Sequence, residues 1–250
     1  MPLIDLSAPI RSDTTEVPEP LRTEIQFEDH AAGAAAIETL FGVSPELLRD
    51  REGWATETFL RFGTHNSTHV DAPWHYNSTI GGRRARTIDE LPLEWFFAPG
   101  LVIDATDRGD GEVLHTAEIE TRLPRPLAER DIVLVRTGRD EFYDEPDYMV
   151  RGPGVTADAT RWLYEQGVRV MGIDAWGWDA PLYMQAEQAK GAAKPGIFWA
   201  AHQVDLDYAQ IERLFNLGAL PSEGFQVACF PLRVEGASAA PARVVAIVAD

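Results

Sequence analysis

Apolar residues fall into short runs separated by polar segments marked with glycine and proline. Four runs are continuous and rich in branched side chains, at residues 100–104, 131–136, 167–173 and 243–248. Apolar side chains at successive positions, rather than alternate ones, belong to strands covered on both faces, so these four are predicted as interior strands. Residues 3–7 and 59–62 read as further strands, and 225–232 is another apolar, strand-like run. Between the second and third interior strands, residues 156–167 predict a helix capped by Thr156 and stopped at Gly167. Strand, helix and strand in that order form a crossover unit, expected to be right-handed, which places the chain in the α/β class with a mixed sheet.

Other segments read less regularly. Residues 31–40 and 44–49 predict helices, the second opening on a Ser44 cap with Pro45 in its first turn. A stretch with several prolines precedes them up to residue 27, and residues 80–91 read as an arginine-rich loop. The spacing of Tyr208, Ile211, Leu214 and Phe215 predicts a helix over 207–217 that carries Glu212 inward with its apolar stripe. No linker tract and no repeat divides the chain, so one domain over 1–250 is expected, with an N-terminal arm and helical insertion at about 8–55.

Forty acidic against twenty-two basic residues give a net charge of −18. That charge repels phosphate backbones and anionic lipid surfaces, so the expected partner is a small-molecule substrate, with no nucleic acid and no membrane. The opening residues lack a basic segment followed by an apolar core, and no run approaches the roughly 18 apolar residues of a membrane span, which predicts a cytoplasmic chain. The single cysteine, Cys229, permits no internal disulfide and lies in an apolar run as a packing thiol.

The chemistry concentrates in residues 65–75, HNSTHVDAPWH, which hold three of the six histidines and one aspartate, all at odd positions. Odd parity is one face of an extended strand. Imidazole and carboxylate suit divalent zinc, manganese, iron or nickel, and clustering them unneutralised would cost several kcal/mol. A catalytic metal is therefore expected. His202 and Glu212 are a second acid and base able to approach that face. Asp174 and Asp179 follow the end of a parallel-type strand, where ligands gather in open α/β sheets. Trp74, Trp176 and Trp178 are candidates for walling a substrate pocket. Neither a Gly-x-Ser-x-Gly elbow nor a glycine-rich phosphate loop is present.

The segment from His65 to His75 resembles the His-x-Gly-Thr-His-x-Asp-x-Pro-x-His signature of the cyclase family, metal-dependent hydrolases that include bacterial kynurenine formamidase and isatin hydrolase. Ser67 stands where the signature has glycine. Similar segments continue through Thr87–Leu93, 131–138, Gly172–Asp174, His202, Glu212–Leu217, Phe230–Leu232 and Pro241–Arg243. The resemblance implies a mixed, partly barrel-like sheet flanked by helices, of the swivelling β/β/α type. It assigns His65, His69 and Asp71 to the metal and His75 to a base or proton shuttle. His202 and Glu212 are implied for a second ion. One or two divalent ions, zinc or manganese, are expected, in a homodimer or homotetramer whose residues 12–27 cross to a neighbour. The implied activity is hydrolysis of an amide, lactam, lactone or similar acyl bond in a small cyclic or aromatic molecule, by metal-activated water. Cyclisation or dehydration on the same site, or metal binding without catalysis, are the alternatives.

Overall fold

The structure is a computed structural model and describes residues 1–13, 17 and 19–249; part of the proline-rich arm thus lies outside the described residues. The chain separates into two compact units, one of Met1–Pro9 with Ser67–Asp250 and one of Ile10–Asn66. β1 (Leu3–Asp5) opens the larger unit. In the smaller, β2 (Glu24–Glu28) pairs antiparallel with β3 (Thr56–Arg61), and α1 (His30–Phe41) runs between them in sequence. β4 (His69–Asp71) and a single helical turn α2 (Pro73–Tyr76) precede the hairpin β5 (Thr79–Ile80) and β6 (Arg83–Arg84). β7 (Phe97–Asp104), β8 (Val113–Leu114), α3 (Thr116–Arg122) and β9 (Ile132–Arg136) follow. Then come β10 (Gly154–Val155), α4 (Ala157–Glu165), β11 (Val170–Ile173) and α5 (Leu182–Ala192). The chain ends with β12 (Ala209–Glu212), β13 (Phe225–Ala228), β14 (Ala239–Pro241) and β15 (Val245–Val248).

The smaller unit is organised on α1. Asp29 caps its first turn by accepting from the Ala32 amide, and Gly42 ends it with φ 65°. A Cβ on Gly33 would stand 1.8 Å from the Trp54 carbonyl, so glycine is what lets this helix lie directly on the 53–54 backbone. Residues 24–28, expected to be irregular, form a strand because β3 supplies it with a ladder.

In the larger unit nine strands form one sheet in the order β1-β15-β13-β7-β9-β11-β12-β4-β14, curled as a half-barrel and flanked by helices. β7, β9, β11 and β12 run parallel through its middle, and antiparallel pairs complete both sides. The mixed sheet predicted from sequence is thus present. β9 shows why its residues are continuously apolar. Ile132 and Leu134 enter one buried cluster, Val133 and Val135 the other, and all four have no exposed surface. Each such side chain contributes about 1.5–3 kcal/mol by leaving water. The second cluster is covered by α3 and α4 through Ile119, Ala159 and Leu163. α4 starts as its sequence indicates, with Thr156 accepting from the Ala159 amide, and the chain leaves it through Gly167 at φ 97°.

The expected helix over 207–217 does not form; residues 209–212 are the strand β12. Ala209 and Ile211 face the first cluster, whereas Tyr208, Gln210 and Glu212 face the opposite side. Two members of that alternation are polar because they belong to a buried site, which leaves the remaining apolar residues at a helix-like spacing. Ladders to β11 and β4 on either side settle the conformation. Cys229 is buried, and burial pushes its thiol pKa up, as befits a packing residue. Among the described residues no helix is long and apolar enough to cross a membrane.

Gly172 in β11 lies where a Cβ would meet Leu214 Cδ1 at 2.8 Å, Leu134 Cδ2 at 3.0 Å and Ile211 Cβ at 3.2 Å. Gly172→Ala is expected to lower unfolding free energy by about 1–3 kcal/mol through overpacking, read by denaturant titration. An unchanged midpoint would show that the sheet has slack beside β12.

Candidate metal centre

β4 and β12 are antiparallel neighbours with Glu212 opposite His69 and Gln210 opposite Asp71. Val70 and Ile211 point into the first core cluster, so His69, Asp71, Gln210 and Glu212 share the other face. One ligand atom from each of His69, Asp71 and Glu212 lies within 4.8 Å of the others, and all three residues are buried. His69 Nε2 is 3.2 Å from Asp71 Oδ1 and 3.6 Å from Glu212 Oε2. Proline at 73 ends the strand and opens the turn α2, which returns His75 to the same carboxylate, with Nε2 3.9 Å from Asp71 Oδ2.

The parity expected over residues 65–75 therefore holds only for His69 and Asp71. Residues 64–68 are turn and bend, and His75 is helical. His65 belongs to the smaller unit, where it is half-buried in a turn; its neighbour Asn66 donates to the Leu21 carbonyl and Thr23 hydroxyl. Ser67 adopts φ 58°, the left-handed region that favours glycine, which accounts physically for glycine at this place in the signature. Its hydroxyl donates to the Ala8 carbonyl at 3.1 Å. Its own carbonyl lies 2.9 Å from His69 Nδ1. Since a carbonyl only accepts, Nδ1 carries the hydrogen, and in the neutral tautomer this leaves the Nε2 lone pair facing Asp71 and Glu212.

His202 approaches from the loop after α5. Its Nδ1 is 2.6 Å from Asp179 Oδ2, its Nε2 is 3.2 Å from Glu212 Oε1 and 4.0 Å from Asp71 Oδ2. The Asp179 carboxylate also accepts from the backbone amides of Ala201 and His202. Burial disfavours charge on the His202 ring, yet its bonds to Asp179 and Glu212 outweigh this and push its pKa up to about 10. Burial likewise opposes ionisation of Glu212, while the His202 hydrogen bond wins and holds its carboxyl below the usual range. Glu212 Oε1 further accepts from the Trp178 amide at 3.0 Å. Two buried carboxylates beside an imidazole lone pair require positive charge. Their borderline-hard oxygen and nitrogen donors, within reach of one point, fit a divalent cation.

The remaining expected residues have varied placements. Trp178 puts its ring in the core, donating Nε1–H to Thr160, so only its backbone amide reaches the site. Asp174 is fully buried and accepts from the Thr137 amide, the Thr137 hydroxyl and the Gly138 amide. It staples the ends of β9 and β11 rather than presenting a free carboxylate to substrate, and burial pushes its pKa up to about 6. Trp176 is half-buried against Arg213, and Trp74 is 39 % exposed. Trp199 was not foreseen as a site residue. It stacks on His202 with centroids 4.6 Å apart and meets His75 edge-on at 5.0 Å. The aromatic residues flanking His202 in sequence carried that signal.

A family model described as "Putative cyclase" matches residues 4–180. The chain is 29 % identical over 186 residues to a kynurenine formamidase of Salinibacter ruber, covering 74 % of this chain and 77 % of that protein. It is 28 % identical over 199 residues to an isatin hydrolase of Roseibium aggregatum, covering 74 % and 72 %. Isatin hydrolase A from Labrenzia aggregata, solved with benzyl benzoate, superposes with a TM-score of 0.73 at 24 % identity over 100 % of this chain and 94 % of that one.

Asp174→Asn would turn an amide NH2 toward one of the donors its carboxylate now accepts from. A loss of about 1–3 kcal/mol in stability is expected on denaturation, the cost of a buried donor left unmatched. Wild-type stability in this variant would contradict the stapling role.

Proposed function

The chain belongs to the cyclase family, and from that premise we propose that it is a metal-dependent hydrolase of amide or related acyl bonds in small molecules. The observation that carries this reading is the buried convergence of His69, Asp71 and Glu212 on one face of two paired strands. These three would hold the ion, with His65 added by its place in the signature. Zinc and manganese both suit the donor set, and His202 with Glu212 are the groups available to a second ion. When bound, such an ion supplies Lewis acidity, polarising an acyl oxygen and bringing the pKa of water toward neutrality.

The protein's own groups divide the rest of the work. His75 is the histidine suited to exchanging protons, because 27 % of its side chain is exposed against 1 % for His69 and 4 % for His202. Its Nε2 would accept the proton of the attacking water and return it to the leaving nitrogen or oxygen. Asp179 acts through His202: by taking Nδ1–H it aims Nε2 at Glu212. Trp199 packs on both rings, stacked on His202 and edge-on to His75. The names carried by the Salinibacter and Roseibium relatives, a formamidase and a hydrolase, support an amide or related acyl carbonyl as the point of attack.

Chelation should abolish turnover across a panel of formamides, lactams and lactones, with recovery on adding zinc or manganese. His69→Ala should cost more than the roughly 100-fold upper range of outer partners. Full activity of His69→Ala in chelator would defeat the proposal. Asp179→Asn, which keeps shape but weakens the hold on His202, should lower metal affinity or rate about 10- to 100-fold. Equal metal titration curves and rates for this variant and the wild type would remove Asp179 from that role.

A further inference from the structure

Arg213 follows Glu212 directly and is itself buried, with 8 % of its surface exposed. Its backbone takes φ 58°, which ends the alternation of β12, and its amide donates to the Ala175 carbonyl. The Arg213 carbonyl accepts from the Thr68 hydroxyl at 2.5 Å. The guanidinium lies over the Trp176 ring at 3.6 Å, and Nε reaches the Trp176 carbonyl at 3.5 Å. Among the described residues it forms no ion pair with a carboxylate, and its terminal nitrogens donate no hydrogen bond. A buried guanidinium with five donors, of which one is weakly used, is costly to the fold and invites an anion.

Its location says which anion. The three residues Trp176–Trp178 touch both side chains: the Trp178 amide binds Glu212 Oε1 at 3.0 Å, a Cβ on Gly177 would lie 3.3 Å from that same oxygen, and Trp176 holds the guanidinium. Arg213 is therefore side by side with the candidate metal centre, sharing one wall with it. The planar fork of arginine matches a carboxylate through two parallel hydrogen bonds. A monoanion suits this place better than a phosphate dianion, because Glu212 and Asp71 stand close by.

We propose that Arg213, held by Trp176, is a carboxylate-binding subsite, and that the substrate of the neighbouring centre is an acyl compound carrying a carboxylate. The substrate clause rests on the hydrolase reading; the subsite itself does not.

The test is isothermal titration with benzoate and benzamide, which share a shape and differ in charge, on metal-loaded and chelated protein. Wild type should bind benzoate at least 10-fold tighter than benzamide. Arg213→Met should weaken benzoate by about 10- to 100-fold while moving benzamide little, the difference expected for charge-assisted hydrogen bonds. The same variant should melt at an equal or higher temperature, since an unpaired buried charge has been removed. Arg213→Lys should bind benzoate with intermediate affinity. Equal benzoate affinity in wild type and Arg213→Met, or unfolding of both variants, would overturn the subsite and make Arg213 a structural residue. In turnover, 4-acetamidobenzoate should show a KM at least 10-fold below that of acetanilide. Equal KM values would assign the subsite to the released acid and overturn the substrate clause. Arginine-dependent benzoate binding in a protein that cleaves no amide would sink the hydrolase reading and leave the subsite standing.

Discussion

The constraint around which the larger unit is built is the burial of Asp71 and Glu212 together. Two carboxylates removed from water repel each other, and each carries an effective desolvation penalty of several kcal/mol. Nothing in β4 or β12 alone offsets that. The offset comes from groups aimed at them: His202 with its proton, the Trp178 amide and, as proposed, a divalent ion that the His69 lone pair would help to hold. Remove the need for positive charge at this point, and little explains why a sheet face otherwise made of valine, methionine and isoleucine admits four polar residues from two adjacent strands.

Each of those groups is in turn held by something with no chemistry of its own. The Ser67 carbonyl decides which nitrogen of His69 carries hydrogen, and it can do so because Ser67 tolerates a left-handed backbone. Asp179 fixes His202 and simultaneously binds the two amides that begin its loop turn. Asp174 holds the ends of β9 and β11 together, so that the segment running from Ala175 to Asp179 leaves the sheet in one direction. That segment then supplies the Trp178 amide, the Trp176 ring and the Asp179 carboxylate within a few residues. The acidic and aromatic character of residues 174–179 thus reflects three separate duties: a staple, a wall and a hold on histidine.

Much of this could be read from sequence where a single physical cause acts. The branched runs at 131–136 and 167–173 announce strands covered on both sides, and Thr156 with Gly167 bracket α4, because burial and capping leave local marks. The candidate metal-binding cluster is legible for the same reason, as too many potential ligands in too few residues. Legibility failed where tertiary pairing overrode local pattern. β12 hid behind Tyr208, Ile211 and Leu214, whose helical spacing is an accident of polar residues standing at Gln210 and Glu212. The sequence points to Trp178 as a pocket wall and to Asp174 as a ligand-facing acid past a strand end, yet the Trp178 ring belongs to the core and the Asp174 side chain to a strand-end staple. Trp199 joins the site through His75, far off in sequence, as well as through nearby His202, and Arg213 takes its place from Trp176 and from a backbone conformation that no motif signals.

The central claim is that Asp71 and Glu212 are neutralised by a divalent ion shared with His69. Crystals of protein purified without chelator, measured on both sides of the zinc and manganese absorption edges, test it directly. The account predicts an anomalous peak within coordination distance of His69 Nε2, an Asp71 carboxylate oxygen and a Glu212 carboxylate oxygen. A structure at saturating zinc and manganese with no anomalous peak among these three residues, and only the His202 ring facing both acids, would contradict it.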